Sequence, residues 1–250
     1  MCTIIMACGV KQGPKLYVIS NRDEALDRPA EEPTVHQMGS MRILAPRDLK
    51  AGGTWVGLNE MGVFAAITNR FGLESTDHHR SRGHLIFRAL EMESAEAAAA
   101  TIEKLVATDY NGFHLVVAGE DGGRVVWNDG SSMHKEVLGS GYHVVTERSF
   151  GAAPSRRLNR LEERVGRLEG WSAEYRQKFR RWMREHDQEH PLEGTCIHAE
   201  DRNYGTRSST IVELGAHRRF MHAVGAPCMA PYEDYMEELF ACGEADSKRP

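Results

Sequence analysis

The second residue of this chain is a cysteine, in the opening run Met1-Cys2-Thr3. Initiator methionine is ordinarily removed when residue 2 is small, and removal would leave a thiol and a free α-amine on one residue. The amine titrates near ~8, so part of it is neutral near pH 7 and can take the proton of its own side chain. The thiol starts near ~8.5, and a neighbouring cation lowers it toward the thiolate that attacks carbonyls. A guanidinium supplies that field without competing for the proton. Asn21-Arg22-Asp23-Glu24, straight after an apolar strand, offers one. Arg22 can act as the cation, and Asp23 as a carboxylate receiving the α-ammonium. Both features have a plain alternative. Cys2 could simply fill the start of a buried strand, and the polar quartet could be a turn whose Asn and Asp satisfy local backbone groups.

Three other constellations carry less. His186-Asp187-Gln188-Glu189-His190 matches the inverted zinc-hydrolase string His-x-x-Glu-His, which sets two imidazoles on one helical face. The helix must end near Pro191 and no third ligand is evident, so a solvated helix end is the expectation. Cys196-x-His198 is not zinc-finger spacing, and Asp77-His78-His79 reads as a polar loop. No P-loop, Gly-x-Ser-x-Gly or paired-carboxylate pattern occurs. Neither a cofactor nor a metal is expected.

The elements that must position Cys2 and Arg22 follow from patterning. Thr3–Val10 is apolar and β-branched, Gly13-Pro14 makes a turn, and Leu16–Ser20 returns as a second strand. The open end of that hairpin brings Cys2 close to Asn21–Glu24. Thr54–Leu58 and Val63–Asn69 form another hairpin, and 82–109 is helical and alanine-rich. Strands return at His114–Gly119, Gly123–Trp127 and Tyr142–Thr146. Leu158, Leu161, Val165 and Leu168 mark one amphipathic helix; Tyr175, Phe179, Trp182 and Met183 mark a second. Ser208–Leu214 and Arg219–Val224 are the last strands. The order predicts a single α+β layered domain over 1–240 and a frayed tail over 241–250. A doubly wound fold is disfavoured because strands and helices do not alternate singly.

Composition bounds the function. The chain has 250 residues, 41% hydrophobic, with net charge −5. That is enough for a packed core, and the acidic balance argues against nucleic-acid binding. No run approaches the roughly 18 apolar residues of a membrane span. Five cysteines without a secretory signal fit a reducing, cytoplasmic setting better than a disulfide framework. Ten Lys or Arg against four Glu fall between Ser155 and Arg184. They read as solvated helical faces, or alternatively as a docking surface for an anionic ligand.

Several short motifs resemble the Asn-Arg-Asp-Glu (NRDE) family, the relatives of transport and Golgi organisation protein 2. They are Met1-Cys2-Thr3, Ser20–Glu24 with Arg28-Pro29, Gly52-Gly53-Thr54-Trp55-Val56-Gly57, Ala66–Asn69, Tyr110–Phe113 and Tyr204–Thr210, in family order. The resemblance implies an N-terminal-nucleophile (Ntn) hydrolase fold, a four-layer αββα sandwich of two antiparallel sheets. It also implies a distant similarity to penicillin V acylases and bile-salt hydrolases, which cleave linear amides with an N-terminal cysteine. Carried over, Cys2 is the nucleophile, with Arg22, Asp23, Asn69 and Arg207 catalytic, Asn69 as the oxyanion-hole donor. Asn21, Trp55 and Thr146 are expected against substrate, Thr146 standing where the acylases use an Asn as second oxyanion donor. The implied ligand is a small-molecule amide, an acyl-CoA or a lipid-like molecule. The alternative is a non-catalytic carrier of acyl-CoA, lipid or haem.

Overall fold

The computed structural model describes residues 2–74, 76, 79–153 and 155–241. Met1, the tail from 242 onward with Cys242, and residues 77 and 78 of the polar loop lie outside the described residues. The chain opens with a hairpin, β1 (Cys2–Cys8) and β2 (Leu16–Ala25). Its strands are covered on both faces. Ile4, Met6, Cys8, Leu16 and Val18 enter one core, while Ile5, Ala7, Tyr17 and Ile19 enter another. Burial on both sides is why this stretch reads as a continuous apolar run rather than an alternating one.

A hairpin of exposed β3 (Ala30–Met38) and buried β4 (Met41–Asp48) follows, then β5 (Val56–Asn59) and β6 (Phe64–Asn69). Helices α1 (Gly83–Leu90) and α2 (Ala95–Glu103) precede β7 (Phe113–Gly119), β8 (Gly122–Asn128), β9 (Met133–Leu138) and β10 (Gly141–Thr146). Next come α3 (Arg156–Gly166), α4 (Glu174–Trp182), the short β11 (His198–Ala199), β12 (Tyr204–Leu214), β13 (Arg219–Val224), β14 (Glu233–Asp234) and α5 (Met236–Phe240).

One antiparallel sheet runs β10-β1-β2-β12-β13-β14, with β11 on β12; the other is the meander β3 through β9. Facing side chains of the two sheets make the central core around Ile4, Val18, Phe64, Val116 and Phe220. Helices α1 and α2 cover the outer face of the meander through Leu85, Ile86, Ala98 and Ile102. Helices α3 and α4 cover the first sheet through Leu158, Leu161, Phe179 and Trp182. The result is the expected four-layer sandwich, helices outside and two sheets within.

Four local expectations change. The second strand does not stop at Ser20 but runs on to Ala25, because β12 pairs with it as far as Tyr204 opposite Ala25. Asn21–Glu24 are therefore strand residues, not a turn. The helical stretch 82–109 is two helices, the second begun by Ser94, whose hydroxyl accepts the Ala97 N–H at 3.2 Å. Strands β3 and β9, at the two edges of the meander, escape the pattern reading because their exposed polar residues leave no apolar alternation. Finally, α4 ends at Trp182. Beyond it Asp187 Oδ1 accepts the N–H groups of Glu189 and His190, an Asx-type turn, so His186 and His190 share no helical face. The inverted zinc-hydrolase arrangement is not formed.

Candidate active site

In the β1–β2 ladder Cys2 lies directly opposite Arg22 and Thr3 opposite Asn21. Directly opposed residues share a face, and neighbours along a strand take opposite faces. Cys2 and Arg22 thus project between the two sheets at the open end of the central core, while Asn21 and Asp23 project toward the helices. The gap there is a cleft of about 340 Å³, whose walls include Cys2, Arg22, Asp48, Trp55, Asn69 and Arg82.

Each wall has a local cause. Arg22, 5% exposed, lays its guanidinium over the Trp55 ring at 4.2 Å from the centroid. It also approaches Glu24 at 3.7 Å and Asp48 at 3.8 Å, carboxylates that Arg28 shares, with Arg28 Nη2 at 2.7 Å from Asp48. Trp55 is held where it is by two glycines. Gly52 has φ +72°, which favours glycine. At Gly53 a Cβ would fall 2.5 Å from the carbonyl carbon of Gly83, so only glycine lets this loop rest on the start of α1. Thr54 N then donates to Gly83 O at 3.2 Å. That contact sets Arg82 on the cleft wall, its Nη1 donating to Gly112 O at 2.9 Å. Asn69 closes the opposite side at the end of β6, paired with Phe113 of β7.

The electrostatics of Cys2 are opposed. Burial pushes its thiol up and the Asp23 charge adds to that; the Asp23 backbone N–H and the Arg22 guanidinium pull it down, and burial prevails. Burial also lowers Arg22 and Arg82, and each is drawn back by negative charge at Cys2. Two guanidinium groups therefore share the cleft with the sulfur, yet burial holds the thiol above its ordinary range.

Asp23 works on the other face. Its carboxylate accepts from Thr206 Oγ1 at 2.6 Å and faces Arg157 Nη1 at 3.5 Å. Arg157 is fully buried and clamps Glu147 in two bonds of 2.8 and 2.7 Å. Arg157, Glu147, Asp48 and Arg82 are the site residues that sequence reasoning missed. Arg157 was legible only as one charge in a basic stretch. Half of that stretch is engaged in ion pairs: besides Arg157, Arg160 lies near Asp187, Arg164 pairs with Glu185, Arg167 with Glu163 and Arg176 with Glu213.

Of the expected site residues, Cys2, Arg22, Trp55 and Asn69 line one cleft, and Asp23 borders it while its carboxylate is held on the helix side by Thr206 and Arg157. Three do not. Asn21 is buried beneath it, Nδ2 donating to Met183 O and Thr195 O at 2.9 and 2.7 Å. Thr146 is fully buried opposite Thr3, its hydroxyl accepting the Arg148 N–H at 3.1 Å. Arg207 sits at the irregularity between Thr206 and Ser208, on a smaller cavity behind Arg22 and Trp55, and donates to Leu26 O at 2.5 Å.

The sequence profile of the family described as Transport and Golgi organisation 2 matches residues 1–223. The chain belongs to this family. The mouse homolog is 32% identical over 114 residues, 43% of this chain and 40% of the mouse protein, and the human homolog 30% over 111 residues. These matches thus span well under two thirds of the curated relatives' own length. Among solved structures, the Caenorhabditis elegans N-acylethanolamine-hydrolyzing acid amidase ortholog superposes with TM-score 0.55 at 15% identity, covering 84% of this chain and 92% of that one. Penicillin V acylase from Agrobacterium tumefaciens superposes with TM-score 0.56 at 12% identity, covering 95% and 88%. At such identities the likeness is one of fold, and the fold is Ntn-hydrolase-like.

Proposed function

We propose that the chain, once Met1 is removed, is an N-terminal-cysteine hydrolase of a linear amide or thioester in a small molecule. The observation that carries this is the register placing Cys2 opposite Arg22 at the mouth of a cleft shared with Asn69. Exposing the α-amine of Cys2 supplies the base that the burial-raised thiol lacks. The amine takes the thiol proton, sulfur attacks the carbonyl carbon, and the Asn69 side-chain amide donates to the oxyanion. Collapse breaks the C–N or C–S bond, the α-ammonium returns its proton to the leaving group, and water hydrolyses the thioester. Arg22 and Arg82 hold negative charge at the sulfur. Asp23, anchored by Thr206 and Arg157, orients the amine end of the strand. Four free cysteines among the described residues suit a reducing, cytoplasmic setting.

Intact mass of the purified chain, with and without an electrophilic amide or β-lactam probe, tests the reading. The expected result is loss of Met1, one probe adduct, and no adduct in Cys2→Ala. Asn69→Ala should slow labelling by roughly 10²–10³. Retained Met1, or labelling that survives Cys2→Ala, overturns it. One observation favours the second reading, a carrier of acyl-CoA, lipid or haem without turnover: Thr146 lies off the cleft and does not serve there as the second oxyanion donor. Co-purification of such a ligand, with no probe labelling at Cys2, would decide for the carrier.

A further inference from the structure

Away from the cleft, three chain segments meet around four metal-ligating side chains. His186 comes from the irregular stretch after α4, Cys196 from the approach to β11, His198 from β11 itself, and Cys228 from the loop after β13. Their ligand atoms all lie within 4.8 Å of one another. Cys196 Sγ is 3.5 Å from Cys228 Sγ and 3.7 Å from His198 Nε2, and His198 Nε2 is 3.3 Å from Cys228 Sγ. The His186 and His198 rings are parallel, 4.8 Å apart. A tetrahedral zinc ion with Zn–S near 2.3 Å and Zn–N near 2.0–2.1 Å needs ligand-to-ligand edges of about 3.3–3.8 Å. These three edges fit, and the edges to His186, none longer than 4.8 Å, close once its ring turns out of its stack on His198.

The backbone around these ligands is already fixed. Glu185 O accepts both Thr195 N and Cys196 N at 3.0 Å, tying the His186 segment to Cys196. Ile197 is locked to Thr206 by bonds of 2.8 and 2.9 Å. Gly225 N donates to Arg207 O at 2.9 Å, and Ala230 N to Ala226 O at 2.8 Å, which shape the loop presenting Cys228. His198 Nδ1 faces the Glu200 carboxylate at 3.5 Å, the outer-shell partner that orients a ligating imidazole and leaves Nε2 for the ion. Cys196 is buried and His186 exposed, so the cluster is enclosed on one side and reachable from the other.

We propose that His186, Cys196, His198 and Cys228 form a closed, four-ligand Zn²⁺ site. Two thiolates and two imidazoles in tetrahedral array select zinc among divalent ions, and no position is left for water or substrate, so the site is structural. Binding releases the two thiol protons to solvent as two Zn–S bonds form. The ion would staple three segments together beside Met183 and Thr195, whose carbonyls hold Asn21 under the cleft.

The test uses the full chain, purified under reducing conditions and assayed for metal, then stripped and titrated with Zn²⁺ and with Co²⁺. The expected result is about one zinc per chain, and a thiolate-to-cobalt charge-transfer band with intense tetrahedral ligand-field bands. Cys228→Ser and His186→Ala should each weaken zinc binding by more than about 100-fold, beyond what losing an outer-shell partner costs. Cys2→Ser should leave binding unchanged. Should Cys228→Ser fail to fold, the exposed His186→Ala and the wild type still decide: a chelator should lower the melting temperature of wild type and not of His186→Ala. Absence of the cobalt bands, unchanged zinc binding in His186→Ala, or a Cys196–Cys228 disulfide in the reduced preparation would overturn the proposal.

Discussion

Arg157 shows how much one side chain can be asked to do. It is fully buried between Glu147 and Asp23 and also donates to Gly194 O at 3.1 Å. A guanidinium out of water is tolerated only because carboxylates and a carbonyl replace its hydration. Substituting it strands two buried acids. Arg157→Met should therefore cost about 3–5 kcal/mol, read as a lowered urea midpoint. Arg157→Met with Glu147→Leu should recover part of the loss. An unchanged midpoint in the single variant would mean that the buried network contributes no stability. Arg22 differs in kind: its charge faces Cys2 and the cleft, and Glu24, Asp48 and the Trp55 ring keep it in place.

At the scale of elements, the cleft depends on a close approach between two loops and a helix start. The Gly52–Trp55 turn presses on Gly83, and a methyl group at Gly53 would meet Gly83 backbone at 2.5 Å, which no side-chain rotation relieves. Gly53→Ala should move the loop off α1 and destabilise the fold by about 1–3 kcal/mol. The Trp55 ring should lose its seat under Arg22, seen as a red shift of its fluorescence. Gly39→Ala, with nothing within 4 Å of its added methyl, should cost only the strain of its φ of +60° and leave the fluorescence alone. The Gly-Gly pair was legible in the sequence as a motif. Its purpose was not, because the helix it touches lies thirty residues on.

For the whole molecule, two buried histidines set an acid limit. Burial, aided by the charge of Arg70, pulls His114 down to about 4. Burial, aided by Arg22, pulls His222 down to about 3. Both are folded in neutral form, His114 against Thr68 Oγ1 at 3.2 Å and His222 against Thr210 Oγ1 at 2.9 Å. Their folded values lie below the ordinary value of 6.5. The unfolded chain therefore takes up more protons, and stability present above that value is lost as pH falls toward 4. The slope is about 1.4 kcal/mol per pH unit for each histidine. Melting temperature against pH should fall steadily from pH 6.5 to 4, and His114→Gln or His222→Gln should flatten the slope. A profile flat over that range would contradict neutral burial. Among the described residues no helix is long and apolar enough to cross a membrane.

The sequence by itself determined the layered α+β class and the opening hairpin, and through it the approach of Cys2 to Asn21–Glu24; the register that sets Cys2 opposite Arg22 came from the structure. Class and hairpin follow from short-range patterning, for the hairpin an apolar run and a Gly-Pro turn. Short motifs in order were also enough to place the chain in its family. Only the tertiary structure decided the rest. Asn21, Arg22 and Asp23 are adjacent in sequence, yet the extension of β2 along β12 sends Arg22 to the cleft and its two neighbours to the helix side. The edge strands β3 and β9 exist because neighbours satisfy their backbones, although their side chains advertise nothing. Cys228 lies far along the chain from His186, and no local spacing rule could join them with Cys196 and His198. Long-range pairing brings these groups within bonding reach, and its free energy is spread over many backbone contacts that no single motif records.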